Sequence, residues 1–501
     1  MRRHGSSRRP PPFTDASRSA WGRPQRAAVL ATALAGALLT ASPAGAFTIG
    51  QGSRPGLAVD AAGTAYVAWN GTEVTNATLR FCRLPRGAAA CAAGVAGTLP
   101  ATATSTSLSR PFVVVSGDRV VVVQYRYPTT GDFKAGTYRY TSTNRGASFG
   151  PEELVGSVGF EEAVPGPGDT LSGLPINAAM TFQNVMLSGA APVNPDGTSA
   201  VPGALLSSTH LNYGTVGLID AATPLAVYTN GDSAEFRRYA GSGSLNDVAN
   251  WTAPVGLGTA TYPKLAGGPS GLVLLAGDGN MSLFARKWNG STFGPPVTIG
   301  PGSTPYKHLF QDAAGQLHAV FQRDSANPLQ VVHAVSDDGL TWRSNTVATQ
   351  DIATAGGIAD LRVATAPDHV GVTVWHGGLG AGDIRLATVG PVALPKPKVT
   401  ASGSARRVGG LVRIRVTGKL ARPLGITEAT GCKGKAQVSV RRGVTIVSSK
   451  TVSITSRCGY TFNATVKATK VKRSKRLLLR IRFRGNAALA PVTKLGSIAV
   501  R

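Results

Sequence analysis

The sequence predicts an all-β fold built from repeated sheet units, and an internal repeat is the main evidence. Residues 57–69 (LAVDAAGTAYVAW) recur at 309–321 as LFQDAAGQLHAVF, and a divergent copy occupies 218–228. Each copy has the pattern of a strand, a tight Asp/Gly turn and a second strand, with alternating apolar residues. Because a single hairpin cannot bury both its faces, the recurrence predicts a stack of similar sheets.

Seven units follow one another when each is counted from the residue that opens its inner strand. Their spacing, from 42 residues (262 to 304) to 59 (110 to 169), is close to the roughly 40–50 residues of a four-stranded propeller blade. We therefore predict a β-propeller over 47–392, with 47–50 supplying the last blade's fourth strand and closing the ring. The third unit is rich in Gly and Pro, so six blades plus an inserted loop region is an alternative. The units begin at Arg54, Arg110, Asp169, Tyr213, Tyr262, Thr304 and Ile358.

Three segments share a second pattern, at 142–149, 244–251 and 335–342. They resemble the Asp-box (bacterial neuraminidase) repeat of sialidase-like propellers, Ser/Thr-x-Asp-x-Gly-x-Thr-Trp/Phe. In such a turn, Asp or Asn accepts backbone N–H bonds, Gly adopts positive φ, and the aromatic residue packs the turn onto the sheet. We expect these turns to be structural and to lie away from the ring axis. The residues in these roles are Asn144, Gly146, Phe149, Asn246, Trp251, Asp337, Gly339 and Trp342.

The resemblance also implies an enzymatic alternative, a sialidase-type glycoside hydrolase acting on carboxylated sugars. Such enzymes hold the sugar carboxylate with three arginines and use a Tyr nucleophile backed by Glu, with Asp as acid/base. The first arginine normally lies in an Arg-Ile-Pro segment, whereas this chain has the shorter Ser-Arg54-Pro and a near-copy around Arg110. Glu161, Glu162 and Glu235 are candidates for the Glu only by elimination. The catalytic residues therefore remain unassigned, and a non-catalytic propeller is favoured.

Residues just before an inner strand lie on the ring face where propeller ligands usually bind. Cationic and aromatic residues recur there, which predicts a cationic funnel with an aromatic rim; the alternative is a set of ordinary exposed charges and turn residues. The ligand-binding candidates are Arg54, Arg110, Tyr262, Lys264, Tyr306, Lys307, Asp360 and Arg362.

No pattern in the sequence predicts a metal or a cofactor. His308, His318 and His333 fall in the sixth unit without metal-ligand spacing, so we interpret them as strand-surface residues. No Gly-x-Ser-x-Gly nucleophile elbow occurs, and the Gly-rich segments are not followed by a helix that would form a phosphate cradle. The four cysteines lack Cys-x-x-Cys spacing and allow three disulfide connectivities. Pairing of near neighbours, Cys82 with Cys91 and Cys432 with Cys458, is favoured.

The C-terminal part differs in composition from the propeller. After a Pro-rich linker at 393–398, alternating strand patterns predict a β-sandwich over 399–501. Its ending, RFRGNAALAP (482–491), resembles the closing strand of bacterial immunoglobulin-like repeats. Residues 396–501 carry 25 Lys and Arg against the single acidic residue Glu428, whereas 47–395 carry 20 basic and 23 acidic residues. Such a domain is expected to bind polyanions with strong salt dependence. Because few aromatic residues interleave its charges, we do not expect nucleic acid as a specific partner.

The N-terminus predicts export. Residues 1–46 contain seven Arg, an apolar run at 27–41 and an Ala-x-Ala cleavage site at 44–46, as in a signal peptide. No later run of about 20 apolar residues follows. We therefore expect a secreted or cell-surface protein, a monomer. Its propeller would bind a glycan or protein ligand, and its basic domain would bind anionic envelope polymers.

Overall fold

The computed structural model describes a chain that is nearly all β. The predicted signal segment lies outside the described residues except for Ala46, as do Glu161 and Thr304. The described residues are 46–72, 78–95, 97–99, 105–128, 135–156, 159, 162–166, 169–174, 180–186, 204–207, 213–230, 233–303, 305–323, 327–352, 356–378, 382–394, 396–423, 426, 428–486 and 489–501.

The first half of the repeat region forms small antiparallel sheets in chain order. The strands are β1 (Phe47–Val59), β2 (Ala65–Asn70), β3 (Leu79–Leu84), β4 (Ser105–Leu108), β5 (Phe112–Ser116), β6 (Arg119–Pro128), β7 (Gly136–Ser142), β8 (Glu153–Gly156), β9 (Glu162–Gly166), β10 (Thr170–Leu174), β11 (Met180–Met186) and β12 (Ala204–Ser207). β1 pairs with β2, and β2 pairs with β3. In the next sheet β6 pairs with β4, β5 and β7, and the sheet after it has the order β12-β11-β10-β9.

The second half continues with four-stranded sheets in simple meander order: β13 to β16, β17 to β20, and β21 to β24. A 3₁₀ turn at Val248–Asn250 precedes β16. The strands are β13 (Tyr213–Asp220), β14 (Thr223–Asn230), β15 (Ser233–Arg238), β16 (Val255–Thr259), β17 (Thr261–Ala266), β18 (Val273–Gly277), β19 (Ser282–Lys287), β20 (Val297–Pro301), β21 (Lys307–Gln311), β22 (Leu317–Arg323), β23 (Leu329–Ser336), β24 (Arg343–Gln350), β25 (Ile358–Thr365), β26 (Gly371–Gly377) and β27 (Gly382–Val389).

The two ends of the repeat region meet in one sheet. The start of β1 pairs with β27, with Phe47 opposite Leu386, whereas the rest of β1 pairs with β2. The prediction that residues 47–50 supply the closing strand is therefore confirmed. Closure in this way leaves the last sheet without an exposed edge at β27.

The sheets stack around a common axis as a β-propeller. Their first strands lie side by side: β1 contacts β5 and β25, β21 lies between β25 and β17, and β13 lies between β17 and β9. Middle strands such as β2, β18 and β26 are buried along their whole length because each sheet packs against a neighbour on both faces. A central cavity of about 410 Å³ is lined by residues of β1, β5, β9, β13, β17, β21 and β25.

The third unit begins earlier than the sequence predicted. Its inner strand is β9, which starts at Glu162, whereas Asp169 lies in the turn between β9 and β10. The Gly/Pro-rich composition that made the unit look like a loop concealed this strand. The difference matters for function because it places Glu162 at the axis.

The repeated Asp/Gly turns have the predicted geometry. Asp60 Oδ1 accepts hydrogen bonds from the N–H groups of Ala62 and Thr64 at 2.9 Å, and Gly63 has φ of 84°. In the copy, Asp312 Oδ1 accepts from Gln316 N at 2.8 Å, and Gly315 has φ of 90°. The repeat in sequence is thus a repeat in hydrogen bonding.

The C-terminal part consists of two antiparallel sheets, ordered β28-β29-β32 and β31-β30-β33-β34, which enclose one apolar core. β33 shows the alternation that builds it, since Leu477, Leu479, Ile481 and Phe483 are buried while the residues between them are exposed. The elements are β28 (Lys398–Val408), β29 (Leu411–Ala421), α1 (Glu428–Gly431), β30 (Lys435–Arg442), β31 (Thr445–Ser453), β32 (Gly459–Lys467), α2 (Ala468–Val471), β33 (Arg476–Phe483) and β34 (Val492–Ala499).

Both favoured disulfides are present. Cys82 pairs with Cys91 and Cys432 with Cys458. Within the described ranges, no helix has the length and apolar character needed to cross a membrane.

Candidate ligand-binding site

Three inner strands share the same backbone irregularity at one end of the central cavity. The pairing register of β1, β17 and β25 shifts at Arg54, Tyr262 and Asp360 respectively. All three residues have positive φ, at 53°, 48° and 52°. Positive φ is unfavourable for residues other than Gly and concentrates at functional sites. These bulges re-aim the residues that follow, which include Lys264 and Arg362.

Glu162 lies at the centre of a cluster of cations from three other sheets. Its Oε1 accepts hydrogen bonds from Arg362 at 3.0 Å, from Arg110 at 3.3 Å, and from the Lys264 ammonium. The carboxylate is nearly excluded from solvent, and Arg110 and Arg362 are buried with it. Because several units of the ring each contribute one charge, the cluster exists only when the ring is closed.

Asp360 extends the cluster on one side. Its Oδ1 accepts a hydrogen bond from Arg110, and its Oδ2 lies 3.2 Å from Nδ1 of His376. Arg110 therefore bridges the two carboxylates. The network balances opposite charges at close range, which a poorly solvated site requires.

Both carboxyl groups are held in the ionised form. Burial by itself would raise the pKa of Glu162, but the charges of Arg362, Lys264 and Arg110 outweigh it and lower that pKa below its ordinary range. The pKa of Asp360 is lowered in the same way, since Arg110 and His376 outweigh the effect of burial. Neither group is therefore available as a proton donor near neutral pH.

The pKa values of the basic residues beneath the cluster are also lowered, which favours their neutral forms. Burial lowers the pKa of Lys307 well below its ordinary value, and neighbouring Lys264 adds to this effect. Burial and Arg362 likewise lower the pKa of His308. Lys307 Nζ lies 3.4 Å from the Thr261 carbonyl oxygen and 5.7 Å from the centre of the Tyr262 ring. The floor of the site thus holds fewer positive charges than its composition suggests.

A small pocket opens above this network. Its volume is about 160 Å³, below the roughly 300–1,000 Å³ of typical small-molecule sites. Tyr213 and Tyr262, whose ring centres lie 4.1 Å apart, form one side, and Tyr306 also lines the pocket. Glu162 and Arg362 line both this pocket and the central cavity, so the charge cluster separates the two spaces.

The structure brings seven of the eight predicted ligand-binding residues to this pocket. These are Arg110, Tyr262, Lys264, Tyr306, Lys307, Asp360 and Arg362. Arg54 is exposed and is not among the described residues that line it. The alternative, a set of ordinary exposed charges, is wrong for Arg110, Lys307 and Arg362, which are buried.

Glu162 is the residue that sequence reasoning underestimated. The sequence offers Glu162 only by elimination among three glutamates, and the predicted start of the third unit at Asp169 leaves it outside the inner strand. The available signal was its position directly before a short apolar segment, equivalent to that of Arg110 before β5. Glu235 lies on the third strand of its sheet, β15, and does not line the pocket.

The hydrogen bonds of the three turns that resemble the Asp-box repeat, here called the rim turns (142–149, 244–251 and 335–342), agree only in part with the prediction. In the first turn Asn144 Oδ1 accepts from Ser148 N at 3.0 Å, Gly146 has φ of 79°, and the Phe149 ring lies 4.9 Å from that of Phe81. These are the three expected roles.

In the other two turns the capping residue is the next one along the chain. Asp247, not Asn246, accepts from Ala249 N at 3.0 Å. Asp338, not Asp337, accepts from the N–H groups of Leu340 and Thr341 at 2.8 and 2.7 Å. The roles of Gly339, Trp251 and Trp342 are as expected, since Gly339 has φ of 73° and both indole rings are buried.

The histidines of the sixth sheet do not lie on the strand surface as predicted. His318 and His333 are fully buried, and His308 faces the central cavity. Asp312, His318 and His369 bring their ligand atoms within 4.8 Å of one another at the opposite end of β21 from the pocket. No sequence pattern predicts this group, because His369 belongs to a different unit from Asp312 and His318.

Comparisons with known proteins give no family assignment. No protein-family profile and no curated protein matches the chain. Solved structures with similar folds include BBS1N in complex with ARL6DN, at 11% identity and TM-score 0.38, covering 69% of this chain and 94% of that one. Another is an α-L-arabinanase from Penicillium chrysogenum with arabinobiose, at 12% identity and TM-score 0.40, covering 70% and 99%. A third is a PL25 ulvan lyase, at 10% identity and TM-score 0.30, covering 68% and 79%. Similarity at these levels carries no information about the site.

Proposed function

We propose that the protein is an exported, cell-surface-associated binding protein whose propeller holds a glycan or another polar extracellular ligand in the Glu162 pocket. The observation that carries this proposal is a preformed pocket in which cationic donors and carboxylate acceptors from several sheets converge beneath a tyrosine rim.

The mixture of groups suits a hydroxylated ligand. Sugar hydroxyls both donate and accept hydrogen bonds, and the pocket offers donors on Arg110, Lys264 and Arg362 beside acceptors on Glu162 and Asp360. The tyrosine rings provide apolar faces with polar tips at the entrance. The excess of cations over carboxylates favours a ligand with a carboxylate or a comparable negative charge.

The charge state supports binding without catalysis. Glycoside hydrolysis needs a carboxylic acid whose pKa is raised so that it can protonate the leaving group. The two described carboxyl groups of the pocket, Glu162 and Asp360, both have lowered pKa values. In addition, Arg54, the expected first arginine of a sialidase set, lies outside the pocket lining. The sialidase-type hydrolase therefore stays the less supported alternative.

The basic C-terminal part would retain the protein on anionic envelope polymers. Of its 25 Lys and Arg, all but Arg422, Arg441 and Arg442 are exposed, and none is buried. Arg406 and Arg413 lie directly opposite each other on β28 and β29. Like charges at such positions repel, so a polyanion lying across them would relieve the repulsion.

The remaining predictions belong to the same proposal. The disulfides suit an oxidising compartment outside the cell, in agreement with the signal-like N-terminus. We interpret the repeat region as seven blades, because seven inner strands line the central cavity. We also infer that the rim turns are Asp-box turns and that the C-terminal sandwich is immunoglobulin-like.

The test uses the mature chain on a glycan array, with two matched variants. Arg110→Ala and Arg54→Ala alter the same Ser-Arg-Pro motif, but only Arg110 lines the pocket. We expect the wild-type chain to bind a ligand. The affinity should fall at least about tenfold in Arg110→Ala, as for loss of one charge-assisted hydrogen bond, and should be unchanged in Arg54→Ala. Equal effects of both variants would refute the pocket assignment.

A fluorogenic sialoside, assayed in parallel, separates binding from hydrolysis. Turnover by the wild-type chain that is lost in Arg110→Ala would establish the glycosidase alternative. Absence of turnover together with pocket-dependent binding supports the non-catalytic proposal.

A further inference from the structure

The sixth and seventh units depart from the internal repeat at positions that meet in space. His318 occupies the place that Tyr66 has in the first unit, six residues after the turn aspartate in both copies. His369 occupies the turn position that is Gly63 in the first unit and Gly315 in the sixth. Departures that face one another across two units indicate a function that the repeat itself does not need.

The side chains converge on one carboxylate oxygen. Asp312 Oδ2 lies 3.1 Å from His318 Nε2 and 2.6 Å from His369 Nδ1. Thr365 Oγ1 lies 3.2 Å from the same His318 nitrogen. Asp312 and His318 are fully buried, whereas the His369 side chain is 31% exposed. The group thus has a rigid interior side and one side open to solvent.

The His369 side chain stands at a backbone position that favours Gly. Its φ is 67°, in the left-handed region that Gly63 and Gly315 adopt at the equivalent turn position. Gly is the favourable residue there, so the histidine side chain is placed at a cost in backbone strain. The turn is fixed by a hydrogen bond from His369 N to the Ala366 carbonyl at 2.9 Å and by the ion pair of Asp368 with Arg86.

A second histidine orients the first. His318 Nδ1 lies 3.1 Å from His333 Nε2, and the two rings are nearly parallel, with 5.3 Å between their centres. In the first unit the corresponding rings belong to Tyr66 and Phe81. A hydrogen bond to one ring nitrogen leaves the other nitrogen free to act as a ligand, as is typical of metal-bound histidines.

We propose that Asp312, His318 and His369 bind a divalent transition-metal ion of the zinc type, which ties the β21–β22 turn to the β25–β26 turn. Two imidazoles and one carboxylate are a ligand set that zinc prefers, whereas calcium and magnesium prefer oxygen ligands alone. The exposed side of His369 leaves the fourth position to water.

The three ligand atoms lie within 4.8 Å of one another, so small side-chain movements can bring them to the separations of a zinc site. Ligand atoms bonded to zinc at about 2.0–2.1 Å lie about 3.3 Å apart in a tetrahedron. The Asp312–His318 separation of 3.1 Å is close to this value, and the Asp312–His369 separation of 2.6 Å is shorter. His369 must therefore move outward by a fraction of an ångström, which its partly exposed turn position allows. This site lies apart from the Glu162 pocket, and its proposal does not depend on the proposed function.

The test measures zinc binding by the mature, untagged chain after removal of metal with a chelator. We expect one Zn²⁺ per chain by titration calorimetry, and a Co²⁺ absorption spectrum typical of a four-coordinate nitrogen and oxygen site. His369→Gly and His318→Tyr restore the residues of the repeat and should weaken binding at least about 100-fold, because each removes a ligand; His333→Phe should weaken it about 10–100-fold. Asp60→Asn, which alters the equivalent carboxylate in the first unit, should leave it unchanged.

Thermal unfolding keeps the test independent of folding defects. His369→Gly should unfold no earlier than the wild type in chelator, and it should lose the Zn²⁺-dependent rise in midpoint that the wild type shows. Absence of zinc binding by the wild type would overturn the proposal and leave a hydrogen-bonded Asp–His cluster. Binding that persists in either His369→Gly or His318→Tyr would overturn the three-ligand site.

Discussion

Replacement of Glu162 by Gln preserves the shape of the side chain but removes the negative charge on which three cations depend. Arg110 and Arg362 are buried, and Lys264 also donates to the same carboxylate. Asp360, which accepts a hydrogen bond from Arg110, is then the one described carboxylate that remains in the pocket beside these three cations. The variant therefore leaves an excess of positive charge at the axis of the ring.

The expected cost follows from the burial of the pairs. Removal of one partner from a buried ion pair typically costs about 3–5 kcal/mol, because the other charge stays desolvated without compensation. For a domain of this size, each kcal/mol lowers the unfolding midpoint by about 2 °C, so we expect a fall of about 6–10 °C.

The pH dependence of the same variant gives an independent check. Because the folded-state pKa of Glu162 is lowered, its contribution to stability is present above the unfolded pKa of about 4.3 and is lost as the pH falls through the folded value. The difference in stability between wild type and Glu162→Gln should therefore be constant from pH 6 to 8 and should shrink below about pH 4.3.

The assay is calorimetric or fluorescence-detected unfolding of the mature chain, with Asp383→Asn as control. Asp383 forms a partly exposed ion pair with Arg385, so its loss should cost less than about 1 kcal/mol. Equal stability of Glu162→Gln and wild type at pH 7 would refute the view that this carboxylate holds the axial cations.

Three further predictions concern other parts of the molecule. Asp338→Ala should cost about 1–2 kcal/mol by unfolding measurements, as for loss of a cap. Asp337→Ala should cost less than about 1 kcal/mol, because the side-chain contacts that Asp337 makes with the described residues are exposed. The reverse order of these two costs would restore the sequence-based assignment. Replacement of both Cys432 and Cys458 by Ala should destabilise the chain by about 3–4 kcal/mol on the chain-entropy model for a separation of 26 residues, and a loss below about 1 kcal/mol would contradict it. The logarithm of the affinity of the mature chain for dextran sulfate should fall linearly with the logarithm of the salt concentration. The double variant Arg406→Gln/Arg413→Gln should reduce the slope of this line by about 2. A slope unchanged by the double variant would exclude this arginine pair from the contact.

Local patterns were sufficient for much of the architecture. The Asp/Gly turns around Asp60 and Asp312, the alternation in β33 and the short Cys82–Cys91 loop depend on neighbouring residues, whose spacing is visible in the chain. The same patterns predicted the wrong residue where either of two adjacent residues could cap a turn. Asp337 and Asp338 are adjacent, and only the backbone conformation of the turn decides which carboxylate faces the N–H groups.

The same distinction between local pattern and tertiary structure applies to the candidate site. The sequence by itself determined that cationic and aromatic residues recur at the entrances of inner strands, because position along a strand is a local property. The tertiary structure alone decided that Arg110, Glu162, Lys264 and Arg362 share one network while Arg54 stays outside it, and that His369 meets Asp312. Those contacts join residues separated by 52 to 200 positions, and closure of the ring, not any sequence spacing, sets their distances.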